Sequence, residues 1–284
     1  MALRSGIPTV AEVDDLLRGD LFRAHREFNA AFLKQHDAVM RRYARAWVYD
    51  VFGHWSRRWE YPYVVSHLVE FGRQRFENKP YRVLDAGSGV SYMPHYLCDQ
   101  LPQAQITCCD FNAAYGTFFD DIRRNGGCER IKFVSGAIQN LPVETASADA
   151  IGCVSVLEHT SGYDKVVDEF HRVLAPGGLL VLTFDIGLDR KFEVLPEKAK
   201  QILEMLSTKF DPADGVDWMR DFAKIERPDE LKDLLTTDAV KRTQPDLLPW
   251  KYPMIQAAYD FWRGHGWTGG FRSVAAFCLA AIRK

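Results

Sequence analysis

The sequence predicts an α/β fold: a doubly wound, mostly parallel sheet with a helical segment before it and a helical insertion near its end. Between residues 80 and 186, short apolar runs alternate with helical patterns, which is typical of parallel strands joined by helical crossovers. The runs are almost continuously apolar, as in a sheet covered on both faces. A turn with two glycines, Gly87 and Gly89, follows the first run and leads into a helix.

The composition is that of an ordinary globular protein. Of 284 residues, 47% are apolar and 26% charged, and the formal net charge is −2. This balance favours neither a nucleic acid nor a membrane surface as partner. The six cysteines form no Cys-x-x-Cys pair, so no metal site is expected. With no signal peptide and no membrane-spanning run, we expect reduced thiols and a cytoplasmic location.

The chain divides by pattern into four segments. Residues 1–79 are predicted as a helical cap or lid, with Thr9 as the cap of the first helix. Residues 80–186 form the predicted core, and 187–270 a helical insertion that shapes a substrate pocket. Residues 271–284 supply a final strand to the core sheet.

The elements of the core follow in order. Five strands are predicted over 82–85, 105–110, 131–135, 148–156 and 179–184. The intervening helices are predicted over 92–101, 113–124 and 164–174. Further helices are expected over 64–76, 198–210, 228–235 and 254–264, with no strand in the insertion before the last one at 271–282.

The glycine turn alone does not identify a ligand. Glycines without Cβ let the backbone approach a ligand closely, and the next helix directs free N–H groups at it. The third glycine of a dinucleotide fingerprint would fall at Tyr92, which is too large for that packing. The Gly-Lys-Ser/Thr of a phosphate-binding loop is absent as well. NAD and ATP are therefore both disfavoured here.

Four features follow one another in the core: Val83–Gly89, then Asp110, then residues 140–151, and finally residues 156–159 with 172–179. In this order they resemble the class I S-adenosylmethionine-dependent methyltransferases of small molecules. Val83–Gly89 matches the first motif of that family, and Asp110 matches the acid at the end of its second strand. Residues 140–151 match the loop into the fourth strand. Residues 156–159 and 172–179 match the end of that strand and the turn into the fifth. The resemblance covers residues 80–186 and implies S-adenosyl-L-methionine as cofactor.

The resemblance also implies how the cofactor would be held. The backbone at Gly87, Ser88 and Gly89 would lie against its methionine part, with Asp85 near its ammonium group. The carboxylate of Asp110 would accept both ribose hydroxyls, since it offers two acceptor oxygens. Structural alternatives stay open: Asp85 as a turn residue and Asp110 as a solvated loop acid.

The adenine end of the implied site is less regular. Phe111 would pack beside the adenine, although a core phenylalanine is nearly as good an interpretation. Ile138 would offer its backbone N–H to the ring. Ala137 stands where the family commonly has an acid for the adenine amino group, with Gln139 as a weak substitute. Ser91 replaces a residue that is often glycine.

Glu158 and His159 are the candidate catalytic residues, at the carboxyl end of the fourth strand, where open α/β sheets bind ligands. Histidine is suited to act as general base because its pKa lies near neutrality. The alternative, a polar cap of the strand, has equal weight. Ser155 is counted with the cofactor site. It stands where some quinone-pathway methyltransferases have a metal-binding acid, so we expect no metal.

Aromatic and cationic residues between 54 and 63 suggest a lid over the substrate. The candidates for contacting the substrate are Trp55, Arg58, Trp59, Tyr61, Tyr63 and, after the fifth strand, Asp185. Arg57 or Arg58 would meet an anionic group of the substrate or the cofactor carboxylate. A packed helix junction explains the same residues equally well. Four more residues are candidates for the opposite wall but fit a core better: Trp250, Tyr252, Trp262 and His265.

The function expected from the resemblance is methyl transfer to an O or N atom of a small molecule, by direct displacement. Two alternatives remain: an NAD-dependent oxidoreductase and a non-catalytic protein that binds S-adenosylmethionine. The sequence identifies neither the acceptor nor the oligomeric state.

Overall fold

The computed structural model describes residues 2–190, 194–248, 253–262, 264 and 271–284. The helices are α1 (Val10–Arg18), α2 (Asp20–Gln35), α3 (Asp37–Tyr43), α4 (Arg57–Arg75), α5 (Met93–Gln100), α6 (Tyr115–Arg124), α7 (Tyr163–Val173), α8 (Pro196–Lys209), α9 (Trp218–Phe222), α10 (Pro228–Leu231), α11 (Thr237–Thr243) and α12 (Pro253–Trp262). The strands are β1 (Tyr81–Ala86), β2 (Ala104–Asp110), β3 (Ile131–Ser135), β4 (Ala148–Val154), β5 (Leu174–Gly187), β6 (Phe210–Pro212) and β7 (Val274–Arg283).

Within the described residues, these strands form one seven-stranded sheet in the order β3-β2-β1-β4-β5-β7-β6. Strands β1 to β5 run parallel to one another, whereas β7 runs antiparallel between β5 and β6. The chain order reverses between β1 and β4, and open α/β sheets bind ligands at such a reversal, beyond the carboxyl ends of the strands. The predicted fold class is confirmed.

Helices cover both faces of the sheet. One buried cluster joins α1–α5 to β1 and β2, and a second joins α7 and α8 to β4, β5 and β7. The first helix begins as expected: the Thr9 side chain accepts from the Glu12 backbone, and the Glu12 carboxylate accepts from Thr9. Among the described residues, no helix is both long and apolar enough to cross a membrane. All six cysteines are free thiols.

Several predicted boundaries are wrong. The helix predicted over 64–76 is α4, which begins earlier, at Arg57, and contains Pro62. Proline removes a single backbone donor there, and burial of the helix outweighs that loss. Strand β5 starts before the Pro-Gly-Gly turn, at Leu174. In the region of the predicted insertion, α10 ends at Leu231, and the short strand β6 was not expected.

Candidate active site

A cavity of about 580 Å³ opens at the carboxyl edge of β1, β2 and β4. Its walls combine the glycine turn, the loops after β2, β3 and β4, and residues from the helical segment before the sheet. The residues used below are Tyr43, Trp47, Val51, Arg57, Tyr61, Gly87, Ser88, Gly89, Asp110, Phe111, Tyr115, Ala137, Ile138, Gln139, Ser155, Val156, His159 and Thr160.

The glycine turn requires its two glycines. Gly87 has φ 73° and Gly89 has φ 51°, in the left-handed region that other residues rarely adopt. A Cβ on Gly87 would lie 2.4 Å from Cγ2 of Val156, and one on Gly89 2.6 Å from the hydroxyl oxygen of Tyr43. The backbone N–H groups of Gly87 and Ser88 donate to the carbonyl of Cys109 at 2.8 and 3.0 Å. These bonds fix the turn against β2.

Asp110 ends β2 and lies on the cavity wall. Its two oxygens accept from the backbone N–H groups of Gly89 and Asn112, each at 3.0 Å. Each carboxylate oxygen has a further lone pair, so the group can still accept from a ligand. The neighbouring ring of Phe111 is 81% exposed and also lines the cavity, so its alternative interpretation as a core residue is wrong.

Asp85 lies behind the turn rather than on the cavity wall. It is 3% exposed, and its Oδ2 has no hydrogen-bond partner in the structure. Burial and, second, the charge of Asp110 raise the pKa of Asp85 to about 8. A buried carboxyl group with an unpaired oxygen next to a ligand cavity is the kind of group that a bound cation would stabilise.

The loop after β3 supplies Ala137, Ile138 and Gln139 to the wall. The amide nitrogen of Gln139 donates to the hydroxyl of Thr160 and, at 3.0 Å, to the carbonyl of Ser161. Gln139 therefore ties the loop after β3 to the loop after β4. With the amide nitrogen held this way, the amide oxygen is the part of Gln139 that can serve a ligand as acceptor.

A buried charged network lies at the β4–β5 end of the cavity. Nη1 of Arg57 donates to Glu60 and, at 2.5 Å, to the hydroxyl of Ser155. The hydroxyls of Ser155 and Thr183 each donate to Oε1 of Glu60 at 2.6 Å. Ser155 has φ 49°, an unfavourable value for serine, which the network and the backbone bond to Thr183 hold in place.

The two candidate catalytic residues are placed differently. Both lie in a 3-10 turn, Leu157–His159, directly after β4. The imidazole of His159 is exposed and lines the cavity. Glu158 is half-buried and is not among the residues that line it. Position thus favours His159 over Glu158 for contact with a ligand.

Most of the residues predicted to contact substrate lie elsewhere, and those expectations need correction. Trp55, Trp59 and Tyr63 are 3%, 3% and 0% exposed and belong to the core. Trp59 and Tyr63 are packed inward by α4, and Trp55 lies just before this helix. Arg58 turns away, with Nε donating to the carbonyl of Phe52 at 2.8 Å. Asp185 is buried and does not line the cavity. Tyr61 is the member of the predicted set that does.

The sequence did not identify Tyr43, Trp47 and Tyr115 as cavity residues. The first two lie at and after the end of α3, and Tyr115 begins α6. Nothing in their spacing distinguishes them from helix core positions. For the opposite wall, Trp250, Tyr252 and His265 lie outside the described residues. Trp262 is 79% exposed on α12, so it belongs neither to the core nor to the cavity.

The comparisons with known proteins agree with this geometry. Residues 84–182 match the family described as a methyltransferase domain. A demethylmenaquinone methyltransferase of Deinococcus radiodurans is 34% identical over 107 residues, covering 37% of this chain and 43% of the relative. A malonyl-[acyl-carrier protein] O-methyltransferase of Laribacter hongkongensis is 34% identical over 108 residues, covering 36% of each chain.

One solved structure shows the same fold over most of the chain. A putative sarcosine dimethylglycine methyltransferase from Galdieria sulphuraria aligns with a TM-score of 0.53 and 16% identity, covering 86% of this chain and 98% of that one. The matches to the first three curated relatives span only 29 to 43% of the relatives' own length.

The sheet order, the glycine turn and the acid at the end of β2 define a class I S-adenosylmethionine-dependent methyltransferase domain. Residues 84–182 match the methyltransferase domain family, and S-adenosylmethionine is the cofactor of this class. The site fits that cofactor. Two glycines keep the turn free of side chains, Asp85 holds an unpaired buried oxygen for a cation, and Asp110 faces the cavity with acceptor capacity left.

Proposed function

We propose that this protein transfers the methyl group of S-adenosylmethionine to an O or N atom of a small molecule. The observation that carries the proposal is that one cavity joins the turn at Gly87–Gly89 and Asp110 to the imidazole of His159. At about 580 Å³ it lies within the range of roughly 300 to 1,000 Å³ that is common for ligand pockets. A cofactor and an acceptor would share this space.

The cofactor would lie across the edge of the sheet. Gly87, Ser88 and Gly89 would face its methionine part, with Asp85 behind them stabilising the ammonium group. Asp110 would accept from the ribose hydroxyls. For the adenine, Phe111 offers a free ring face and Ile138 a backbone N–H, while Ala137 leaves room at the wall. Ser155 would contact the methionine end at the close of β4.

S-adenosylmethionine supplies a methyl group that is already activated by a positively charged sulfur. The protein then has to orient the acceptor, exclude water and, for a hydroxyl or ammonium acceptor, remove a proton. His159 is placed to take that proton. Glu158 lies in the same 3-10 turn and would help to position His159. Tyr43, Trp47 and Tyr61 cover the cavity from the helical segment and limit the access of water.

Two other functions make different predictions. An NAD-dependent oxidoreductase would bind NAD, but Tyr92, 1% exposed, fills the position of the third fingerprint glycine. A non-catalytic protein would bind S-adenosylmethionine without consuming it. Calorimetry with S-adenosylmethionine, S-adenosylhomocysteine and NAD tests the alternative of an NAD-dependent oxidoreductase. We expect heat from both sulfur compounds and none from NAD, and the reverse result would refute the proposal.

Measurements of turnover test the alternative of a non-catalytic protein that binds S-adenosylmethionine. Panels of phenols, carboxylic acids and amines are incubated with the enzyme and S-adenosylmethionine, and formation of S-adenosylhomocysteine is measured. We expect at least one panel to raise product formation above the acceptor-free rate. His159→Ala should lower that rate by about 100-fold if the imidazole is the base. A cofactor that binds but is consumed with no panel would favour the non-catalytic alternative.

A further inference from the structure

The side chain of Arg57 is a cation at the β4–β5 end of the cavity. It is 5% exposed, yet it lines the cavity wall. Burial opposes its charge, but the neighbouring carboxylates, first Glu60 and then Asp185, raise the pKa of Arg57 overall. The guanidinium is therefore charged, and its remaining N–H groups need acceptors.

The hydrogen bonds of Arg57 are concentrated on one nitrogen. Nη1 donates to Ser56 at 3.2 Å, to Ser155 at 2.5 Å and to Glu60. Within the part of the chain that the structure describes, Nε and Nη2 make no hydrogen bond, and both atoms keep some solvent-accessible surface. Since the rest of the side chain is enclosed, this edge of the guanidinium opens into the cavity.

Glu60 fixes the direction of that edge. It is 0% exposed, and its oxygens accept from Arg57, Ser155 and Thr183, of which the last lies on β5. Because its oxygens are occupied by these partners, Glu60 acts as a positioning residue for the guanidinium of Arg57. Nε and Nη2 carry parallel N–H bonds at the spacing of the two oxygens of a carboxylate.

The position of the network separates it from the predicted ribose and adenine contacts. Asp110 and Phe111 lie at the end of β2, and the glycine turn follows β1. Arg57 is bonded to Ser155 after β4 and, through Glu60, to Thr183 in β5. In the sheet order, β4 and β5 lie on the side of β1 away from β2. Arg57 thus lies beyond the turn, on the far side from the ribose and adenine contacts.

We infer that the open Nε–Nη2 edge of Arg57 binds a carboxylate of the methyl acceptor, so that the acceptor is a small carboxylic acid with a flat or apolar body. This inference rests on the proposed function. The apolar body would pack against Val51, Tyr61 and Trp47, which line the same cavity. Glu60 neutralises Arg57 at long range, so recognition depends on the two parallel hydrogen bonds rather than on net charge. An amide of the same shape is then a poor substitute.

The test measures binding of matched acids and amides to the complex with S-adenosylhomocysteine. Benzoate, phenylacetate and 3-phenylpropionate are titrated calorimetrically beside benzamide, phenylacetamide and 3-phenylpropionamide. We expect at least one acid to bind about 10-fold more tightly than its amide, because the amide offers one acceptor oxygen where the two parallel N–H groups need two. If no acid is preferred over its amide, the inference is wrong.

Variants test whether Arg57 causes the preference for acids over amides. Arg57→Lys keeps the charge but loses the fork, and the double variant Arg57→Gln/Glu60→Gln removes both charges without leaving Glu60 unpaired. Both should lose the preference for acids, with the fold checked by circular dichroism. Arg58→Gln is the matched control, because Arg58 bonds to Phe52 outside the cavity, and it should keep the preference. A preference that survives in both Arg57 variants would overturn the inference.

The competing source of a carboxylate is the cofactor itself. Affinities for S-adenosylhomocysteine and for 5′-methylthioadenosine, which lacks the carboxylate, are compared in wild type and Arg57→Lys. We expect the variant to change both affinities less than about 2-fold. A selective loss of S-adenosylhomocysteine affinity would mean that Arg57 holds the cofactor carboxylate and would overturn the inference. Failure of the wild type to bind S-adenosylhomocysteine at all would instead refute the proposed function.

Discussion

The hydroxyl oxygen of Tyr43 lies 2.6 Å from the point that a Cβ on Gly89 would occupy. Tyr43 ends α3 in the helical segment before the sheet, and Gly89 belongs to the turn after β1. The helical segment therefore closes over the glycine turn at a separation that only glycine permits. Both residues line the cavity, so this contact also sets the width of the candidate cofactor site.

Gly89→Ala is expected to lower the free energy of unfolding by about 1 to 3 kcal/mol, because it adds a left-handed alanine and a clash with Tyr43. Urea unfolding measures the change. Adding Tyr43→Phe should recover the part due to the clash. Gly53→Ala is the control, since a Cβ there meets nothing within 4 Å and no positive φ is involved. Equal stability of the Gly89 and Gly53 variants would contradict the prediction.

Phe111→Ala should separate binding from stability. The ring is 81% exposed, so its loss should change the free energy of unfolding by less than about 0.5 kcal/mol. Affinity for S-adenosylhomocysteine should fall by about 10-fold, because stacking on the adenine is lost. The control is Phe119→Ala, where a ring 4% exposed leaves a cavity that lowers the unfolding free energy by about 3 to 5 kcal/mol. Unchanged affinity in Phe111→Ala would argue against an adenine contact.

Asp110→Ala removes the acceptor for two backbone N–H groups as well as the predicted ribose contacts. We expect affinity for S-adenosylhomocysteine to fall by at least about 10-fold, since a hydrogen bond to a charged group contributes about 1.5 to 3 kcal/mol. Asp229→Ala is the comparison variant, because its side chain is fully exposed, and calorimetry should show no change for it. A similar affinity in both variants would remove Asp110 from the site.

The contribution of Asp85 to the stability of the ligand-free protein should fall as pH rises from about 4 to 8. Burial and the charge of Asp110 raise its pKa to about 8, whereas an unfolded aspartate titrates near 3.9. Between these values only the folded state keeps the proton, so raising the pH favours unfolding. Asp85→Asn should remove this dependence and be more stable than wild type at pH 7.5 by roughly 2 to 4 kcal/mol. Urea titrations of both proteins at pH 4 and 7.5 measure the difference between their free energies of unfolding. A difference that does not change with pH would contradict the prediction.

The same group should couple proton release to cofactor binding. An ammonium group near Asp85 favours its carboxylate form and lowers its pKa. Binding of S-adenosylhomocysteine near pH 7 should then release a proton, and apparent binding enthalpies in phosphate and Tris should differ by the buffers' ionisation heats. In Asp85→Asn the two enthalpies should agree. A buffer-independent enthalpy in the wild type would mean that Asp85 stays protonated in the complex.

Much of the sheet could be predicted because its signals are local. Predicted and observed bounds agree for β3, and β1 and β2 differ from prediction by one residue at their ends. Each strand is a short apolar run that ends at a turn residue or an acid, and the pattern does not depend on distant contacts. Asp110 and the glycines reach the cavity for the same reason, since they follow strands whose ends meet at one edge.

The cavity walls from the helical segment could not be predicted because aromatic residues serve cores and sites alike. Trp59 and Tyr63 face the core from α4, while Tyr61 of the same helix reaches the cavity. Which face of a helix turns inward depends on tertiary packing, and Pro62 concealed the fact that these residues share one helix. Arg57 and Arg58 differ for the same reason: adjacent positions on a helix point about 100° apart.

The antiparallel strand β7 has a consequence for how the molecule is made. It pairs with β5 on one side and β6 on the other. The backbone of Cys278 in β7 also forms an antiparallel β-bridge with Gly6. During synthesis the sheet cannot close until residues 274–283 have left the ribosome, long after the glycine turn has emerged. Until then β5 presents an unpaired apolar edge, which is where chaperones and misassociation would compete. Completion of the sheet at β5 thus depends on a strand that is translated well after β5 itself.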